Sequence, residues 1–276
     1  MLIAQLTDLH IGAGRRLAYR KVDTAGALEN AVAYVMAMEP RPDVVLFTGD
    51  IGDLGTPDEY ALVAEILKDL TIPYFMVPGN HDCRAPLCAA FPHATPVAPG
   101  QAFVNYVVDD FDLRLIALDT LEEGKPGGVL PTEQLDWLRD VLAKDDDRDC
   151  LIFLHHPPTL TGITHMDVQN LGAGADGLAD IVRAHRHHIR AIICGHVHRP
   201  IHTIWAGVPL SIGPSVAHQV AFDLRAGGPS AFVMEPPALH LHVWDVDQKN
   251  LMTHMAYIDR HDGPHPFFDE TGKLIV

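Results

Sequence analysis

Five short clusters in this chain hold residue types that bind metal ions and move protons: Asp8-Leu9-His10, Gly49-Asp50, Gly79-Asn80-His81-Asp82, His155-His156-Pro157 and Gly195-His196-Val197-His198. Any one of them alone would pass for a turn or a helix cap, the ordinary station of Asp, Asn and Gly. Each, however, directly follows a short apolar, strand-like run, so together they point to a metal centre assembled at one edge of a sheet. Carboxylates, imidazoles and one amide oxygen, with no thiolate, suit divalent ions such as Mn, Fe, Co or Zn. A structural zinc site would draw on closely spaced cysteines, and the four cysteines here include no Cys-x-x-Cys pair. Seven potential ligands are too many for one tetrahedral ion. Shared between two ions about 3.5–4 Å apart, with one bridging carboxylate, they would acidify a bridging water and clamp phosphate oxygens for in-line displacement.

Such a centre needs strands that end together. Residues 2–7 form a mostly apolar run that delivers Asp8. From Asp23 to Met38, Leu28, Ala31, Val32 and Val35 recur at helical spacing. Residues 43–48 are a continuous apolar run, as expected of a strand covered on both faces, and deliver Gly49-Asp50. Thr56-Pro57-Asp58-Glu59 reads as a capping box with Pro at the first helical position. A third strand, 72–77, leads to Asn80. Strand and helix alternation of this kind implies parallel strands whose carboxyl ends converge, the usual location of α/β sites. Further on, 102–108 and 113–119 read as antiparallel strands, 131 onward and 178–187 as helices, and 150–154 and 189–194 as strands presenting the remaining histidines. The acidic run 145–149 reads as a solvated turn, and short strands predominate after 201.

Composition narrows the function. Across 276 residues, 20 basic against 36 acidic side chains leave a formal charge of −16, which argues against a binder of nucleic-acid polymers or anionic membranes. No apolar stretch approaches a membrane span. Cys150 and Cys194 lie at or inside apolar runs and read as buried thiols, and Met1 opens a strand with no room for a signal peptide before Asp8. The expectation is a reduced, cytoplasmic compartment.

The five clusters, in this order, resemble the pattern of the calcineurin-like metallophosphoesterases. Arg41-Pro-Asp-Val-Val45, Thr56-Pro-Asp-Glu-Tyr60, Val107-Val-Asp-Asp-Phe111 and His155-His-Pro-Pro158 look most like bacterial glycerophosphodiesterases and class III cyclic-nucleotide phosphodiesterases. The resemblance implies an α/β fold, a four-layer α-β-β-α sandwich of two mixed β-sheets, with a small C-terminal cap or arm. It covers roughly residues 1–220 as the catalytic domain and leaves 221–276 as C-terminal strands, a cap or an oligomerisation segment. It further implies that Asp8, His10 and His198 hold one divalent ion (Fe, Mn, Zn or Co), that Asn80, His155 and His196 hold the other, and that Asp50 bridges them. His155 is preferred to His156 because the family ligand sits two residues before a proline. His81 would lie beside the phosphate as the catalytic residue, stabilising the transition state or helping to protonate the leaving alkoxide. The implied activity is hydrolysis of small phosphodiesters by a metal-activated hydroxide, glycerophosphodiesters first and 3′,5′-cyclic nucleotides next, in a homo-oligomer.

Several residues stay open at this level. Asp82 is either an orienter of His81 or a turn cap, His156 and His218 are either site residues or bystanders, and His240 and His242 alternate with leucines as the outer face of a strand. A phosphomonoesterase would need cations for its dianionic substrate, and Arg15, Arg16, Arg84 and Arg199 are the candidates near the clusters.

Overall fold

The computed structural model describes residues 1–98, 100–144, 148–259 and 261–275. The first third runs β1 (Leu2–Leu6), α1 (Thr24–Met36), β2 (Val44–Phe47), α2 (Pro57–Ile66), β3 (Tyr74–Met76) and α3 (Arg84–Ala90). Then come β4 (Tyr106–Val108), β5 (Arg114–Ala117), α4 (Thr132–Lys144), β6 (Cys150–Phe153), α5 (Thr164–Asp167), α6 (Ala175–His185) and β7 (Ile189–Cys194). The chain closes with β8 (Ile201–Trp205), β9 (Val208–Ile212), β10 (Gln219–Val220), β11 (Phe232–Val233), β12 (Ala238–Asp245) and β13 (Asn250–Tyr257).

Local chemistry sets the helix starts. The Asp23 carboxylate accepts from Gly26 N at 3.0 Å and caps α1. At α2, Pro57 occupies the first turn, where its missing N–H costs nothing, and Glu59 reaches back to Thr56 N at 3.1 Å.

Two sheets result, ordered β13-β12-β1-β2-β3 and β4-β5-β6-β7-β9-β8. Strands β1, β2 and β3 are parallel, as are β5, β6, β7 and β9, while β12, β13, β4 and β8 run antiparallel to their neighbours. Period-2 alternation along the central strands sorts their side chains between two apolar layers. Ile3, Val44, Leu46, Leu151, Phe153, Ala191 and Ile193 fill the space between the sheets. Ala4, Val45 and Phe47 face α1 and α2 on one outer side, and Cys150, Ile152, Ile192 and Cys194 face α4 and α6 on the other. This is the expected α-β-β-α arrangement, and it leaves Cys150 and Cys194 as buried free thiols.

The C-terminal segment contributes to the same sandwich. Strand β12 pairs with β1 from Leu2↔Val243 to Gln5↔His240, so the sheet hydrogen bonding runs across any division at residue 220. Past Tyr257 the chain is mostly exposed, with Phe267, Phe268, Leu274 and Ile275 open to solvent.

Three expectations need correction. His240 and His242 do not form an outer face: both are fully buried between the sheets. Alternation reports which residues share a face, but β12 lies inside a sandwich, and its second face is covered by β9 and β1 side chains. His240 Nδ1 meets Ser211 Oγ at 3.1 Å and His242 Nε2 meets Gln5 Oε1 at 3.1 Å. The expected strand 102–108 is ordered as a strand only at Tyr106–Val108, because Val104 N donates to the Asp119 carboxylate at 2.9 Å and not to a ladder. Of the acidic run, Asp145 to Asp147 lie outside the described residues, and Asp149 is no solvated turn residue: it is nearly buried and paired with Arg190.

At one edge a phenol ties the two sheets together. The Tyr106 hydroxyl on β4 donates to Met76 O on β3 at 2.6 Å and accepts from Met76 N at 3.0 Å. Met76 N keeps Ala94 O at 2.9 Å, but removing the hydroxyl takes the donor from the buried Met76 carbonyl, so Tyr106→Phe should lower unfolding free energy by about 1–3 kcal/mol, read from urea denaturation; an unchanged midpoint would show that the two edges need no polar tie.

Candidate metal centre

The parallel strands deliver the five clusters to one side of the sandwich. Asp8 and His10 follow β1, Asp50 follows β2, Asn80 follows β3, His155 follows β6, and His196 and His198 follow β7. The turns that present these side chains are sharp. Asp8, His10, Asp50, His196 and His198 all have positive φ, between 47° and 72°, a region that costs non-glycine residues energy and is occupied mostly where function requires it. Gly79 permits a close approach: a Cβ there would lie 2.2 Å from Asp50 Oδ1, so only glycine allows the Asn80 loop to pass over the Asp50 carboxylate.

Two groups of ligating atoms face each other. In the first, Asp8, His10, Asp50 and His198 bring one donor atom each within 4.8 Å of the others. His10 Nε2 lies 3.0 Å from His198 Nε2, and His198 Nε2 lies 3.4 Å from Asp8 Oδ1. In the second, the Asn80 Oδ1 lies 3.2 Å from His155 Nε2 and 3.0 Å from His196 Nδ1. Asp50 Oδ2 sits between them, 3.5 Å from His10 Nε2 and 3.5 Å from His155 Nε2.

Outer contacts fix the rings. His155 Nδ1 is 2.7 Å from Thr48 O and His198 Nδ1 is 3.1 Å from His218 O, so each ring donates that N–H to a carbonyl and turns its Nε2 inward. Asp8 accepts the His196 N–H at 3.1 Å through both oxygens. His156 differs. With Nε2 3.3 Å from Pro126 O and Nδ1 2.8 Å from Thr120 Oγ1, both its nitrogens are engaged, although the ring packs 4.7 Å from both His155 and His196.

The electrostatics suit cations. Burial pushes the Asp8 carboxyl up, to about 7, and Asp50 nearby pushes it further the same way. Burial also opposes ionisation of Asp50, but the imidazoles of His155, His81 and His10 outweigh it and hold that carboxyl well below its ordinary value. Burial keeps His10, His196 and His198 neutral, well below or down to about 4, so their lone pairs are available. Two Nε2 atoms face to face at 3.0 Å, and a buried His196 Nε2 with no hydrogen-bond partner, fit a site built for divalent ions. The Asp and His groups can hold two of them.

The open alternatives resolve locally. Asp82 is a turn cap: its carboxylate accepts from Ile51 N, Gly52 N, Gly79 N and the Tyr60 hydroxyl at 2.8 to 3.1 Å, tying the β2 and β3 turns together. The ring of His81 is held by Asp53, whose carbonyl lies 2.8 Å from His81 Nδ1. His218 does reach the site, 4.7 Å from the His198 ring and 5.8 Å from His10. Above the clusters opens a cavity of about 410 Å³, lined by His81 and His218, by Met166 on α5 and Gln169 just after it, and by Tyr19 and Phe232 stacked at 5.0 Å. Asp53, Tyr19 and Phe232 escaped sequence reading. Asp53 could have been suspected from its place three residues after Asp50, whereas Tyr19 and Phe232 meet only in space.

None of the four candidate arginines is free for a substrate dianion. Arg15 pairs with Glu29, Arg16 with Asp53, Arg84 with Asp119 and Arg199 with Glu235. Neither Lys nor Arg lines the cavity among the described residues.

Comparisons with known proteins agree with this geometry. A probable glycerophosphodiester phosphodiesterase of Arcobacter nitrofigilis is 42% identical over 275 residues, spanning 100% of both chains. A probable cyclic nucleotide phosphodiesterase of Rhodopseudomonas palustris is 36% identical over 267 residues, covering 96% of this chain and 94% of that one. Among solved structures, a purple acid phosphatase from yellow lupin (Lupinus luteus) seeds aligns with a TM-score of 0.63 over 94% of this chain and 51% of its own, at 13% identity, a likeness of fold. The family model for calcineurin-like phosphoesterases matches residues 1–200, the stretch that supplies every ligand candidate, and the chain belongs to that family of enzymes.

Proposed function

We propose that this enzyme hydrolyses small phosphodiesters, with glycerophosphodiesters preferred over 3′,5′-cyclic nucleotides. One ion (Fe, Mn, Zn or Co) would be held by Asp8, His10 and His198 and a second by Asn80, His155 and His196, with Asp50 shared. The observation that carries this reading is the placement of Asp50 Oδ2, 3.5 Å from a histidine of each group. When bound, the ions supply Lewis acidity, which activates water near neutral pH and offsets charge on the phosphate.

The chain's own residues do the rest. His81 lines the cavity with about a third of its side chain exposed. Burial alone would lower its pKa, but Asp50 and the Asp53 carbonyl and carboxylate outweigh burial and raise it. With Nδ1 committed to the Asp53 carbonyl, Nε2 is the atom that holds a proton toward the cavity, where it can stabilise phosphate charge or pass the proton to a departing alkoxide. A cavity without lysine or arginine suits a singly charged diester better than a dianionic monoester. The full-length likeness to a probable glycerophosphodiesterase supports that substrate as the first to test.

A comparison of kcat/KM for glycerophosphocholine, glycerophosphoethanolamine, cyclic AMP and a simple monoester should place a glycerophosphodiester first and the monoester last. A leading monoester would overturn the diesterase assignment. Asn80→Ala should weaken one of two metal equivalents by tenfold or more and leave the other, as read by metal titration; two unaltered sites would remove Asn80 from the ligand set. His81→Ala should keep both ions yet slow turnover by about 10²- to 10⁴-fold, most for poor leaving groups. Equal loss across leaving groups would leave charge stabilisation as its role.

A further inference from the structure

A polar seam crosses the apolar space between the sheets directly behind the metal centre, and its middle is Gln5. The residue is fully buried on β1 and points between the sheets, where its neighbours Ile3, Val44, Leu46 and Ile193 are apolar. Its Nε2 lies 3.0 Å from Thr48 Oγ1 and 2.8 Å from Cys194 O. Its Oε1 lies 3.1 Å from His242 Nε2, and His242 Nδ1 lies 2.9 Å from Thr253 Oγ1. The Cys194 carbonyl can only accept, which sets the amide orientation. Gln5 therefore donates to Cys194 and Thr48, its Oε1 accepts from His242 Nε2–H, and His242 Nδ1 accepts from the Thr253 hydroxyl. A Cβ on Gly213 would come within 3.0 Å of Gln5 Nε2, so the amide is also confined sterically.

Both acceptors of Gln5 stand next to the clusters. Thr48 precedes Gly49-Asp50, and its carbonyl is the atom that orients His155 through Nδ1 at 2.7 Å. Cys194 precedes Gly195-His196, on the other sheet. The first sheet contributes Asp8, His10, Asp50 and Asn80, and the second contributes His155, His196 and His198. Each ligand group therefore straddles the two sheets. Apolar contact between sheets is non-directional and does not by itself define a register to fractions of an ångström. A buried amide with two fixed donors does.

We infer that Gln5, oriented by His242, is a positioning residue for the metal centre: it fixes the β2 and β7 ends relative to each other and so sets the spacing of Asp50 against His155 and His196. This rests on the two-metal reading above and adds to it a determinant that touches neither ion nor substrate.

The test is cobalt(II) titration of metal-free wild type and Gln5→Met, followed by the absorption of the bound ion, with thermal unfolding of both metal-free proteins. Methionine keeps the length and packing of glutamine but removes both donors. The expected result is a lower metal-free melting temperature with a cooperative transition, because Cys194 O loses a donor and His242 Nε2–H its acceptor, together with an affinity for the second cobalt equivalent at least tenfold weaker and an altered absorption band. Wild-type affinity and spectrum in Gln5→Met would overturn the inference while leaving the metal centre intact. If Gln5→Met does not fold, Thr48→Val, which removes the Gln5 anchor but keeps the carbonyl, carries the same measurement with the same two outcomes. A wild type that does not take up two equivalents would overturn the metal-centre reading and this inference with it.

Discussion

The meeting of two carboxylates with opposed rings of imidazoles, across two separate sheets, governs the rest of this molecule. Asp8 and Asp50 are both buried, at a strand edge where burial raises the cost of a negative charge. Asp50 stays ionised because His10, His81 and His155 surround it, and its Oδ2 is equally far from a ring of each group. That placement requires the end of β2 to lie over the ends of β6 and β7, which belong to the other sheet. The sandwich is thus a device for bringing strand ends together as well as a way of covering apolar faces. Its internal polar contacts, from Tyr106 at one edge to Gln5 in the middle, fall where relative sheet position matters.

The ends of the strands were legible because each is marked twice. An apolar run announces a strand, and the abrupt switch to Asp, Asn, His and Gly announces where it stops. This is why Asp8, Asp50, Asn80, His155, His196 and His198 could be grouped before any coordinates. The period-2 geometry of a strand adds a second level, which residues share a face, and it sorts the side chains of β1, β2, β6 and β7 between the two layers. It does not report what covers a face. His240 and His242 look like solvent residues on β12 and are interior ones, because a neighbouring sheet lies where a two-layer protein would have water.

The parts that were not legible depend on contacts between distant segments. Tyr19 from the loop after His10 stacks on Phe232 from a hairpin more than two hundred positions later, and neither neighbourhood carries a pattern that predicts the pair. Asp82 was readable as either orienter or cap, since both roles need only an acceptor beside a turn. The decision came from the positions of three backbone N–H groups and a phenol. His218 was similarly undecided, and its ring reaches the cavity because its own carbonyl is the partner of His198 Nδ1. A residue whose backbone orients a ligand candidate is placed beside that ligand whatever its side chain, which explains how a loop histidine becomes part of the cavity wall.

Strain and charge are concentrated in the same few residues, and the surrounding core makes this tolerable. Five left-handed non-glycine residues among the clusters each cost on the order of 1–3 kcal/mol relative to relaxed backbone. Such turns persist where neighbours over-determine them. Asp8 N is bonded to Gly49 O at 3.0 Å, His10 N to Asp50 O at 2.9 Å and Gly195 N to His155 O at 3.0 Å within the sheets, and His196 N to the Asp8 carboxylate at 3.1 Å between them, so the strained turns brace one another across strands and across sheets. The arrangement favours rigidity over adaptability at the ligand end, whereas the cavity above it is walled in part by side chains from α5 and the residues after it and from the β10–β11 hairpin. The braced edge and the cavity wall are thus separate: the side chains of Tyr19, Met166, Gln169 and Phe232 stand over the five clusters without forming part of them.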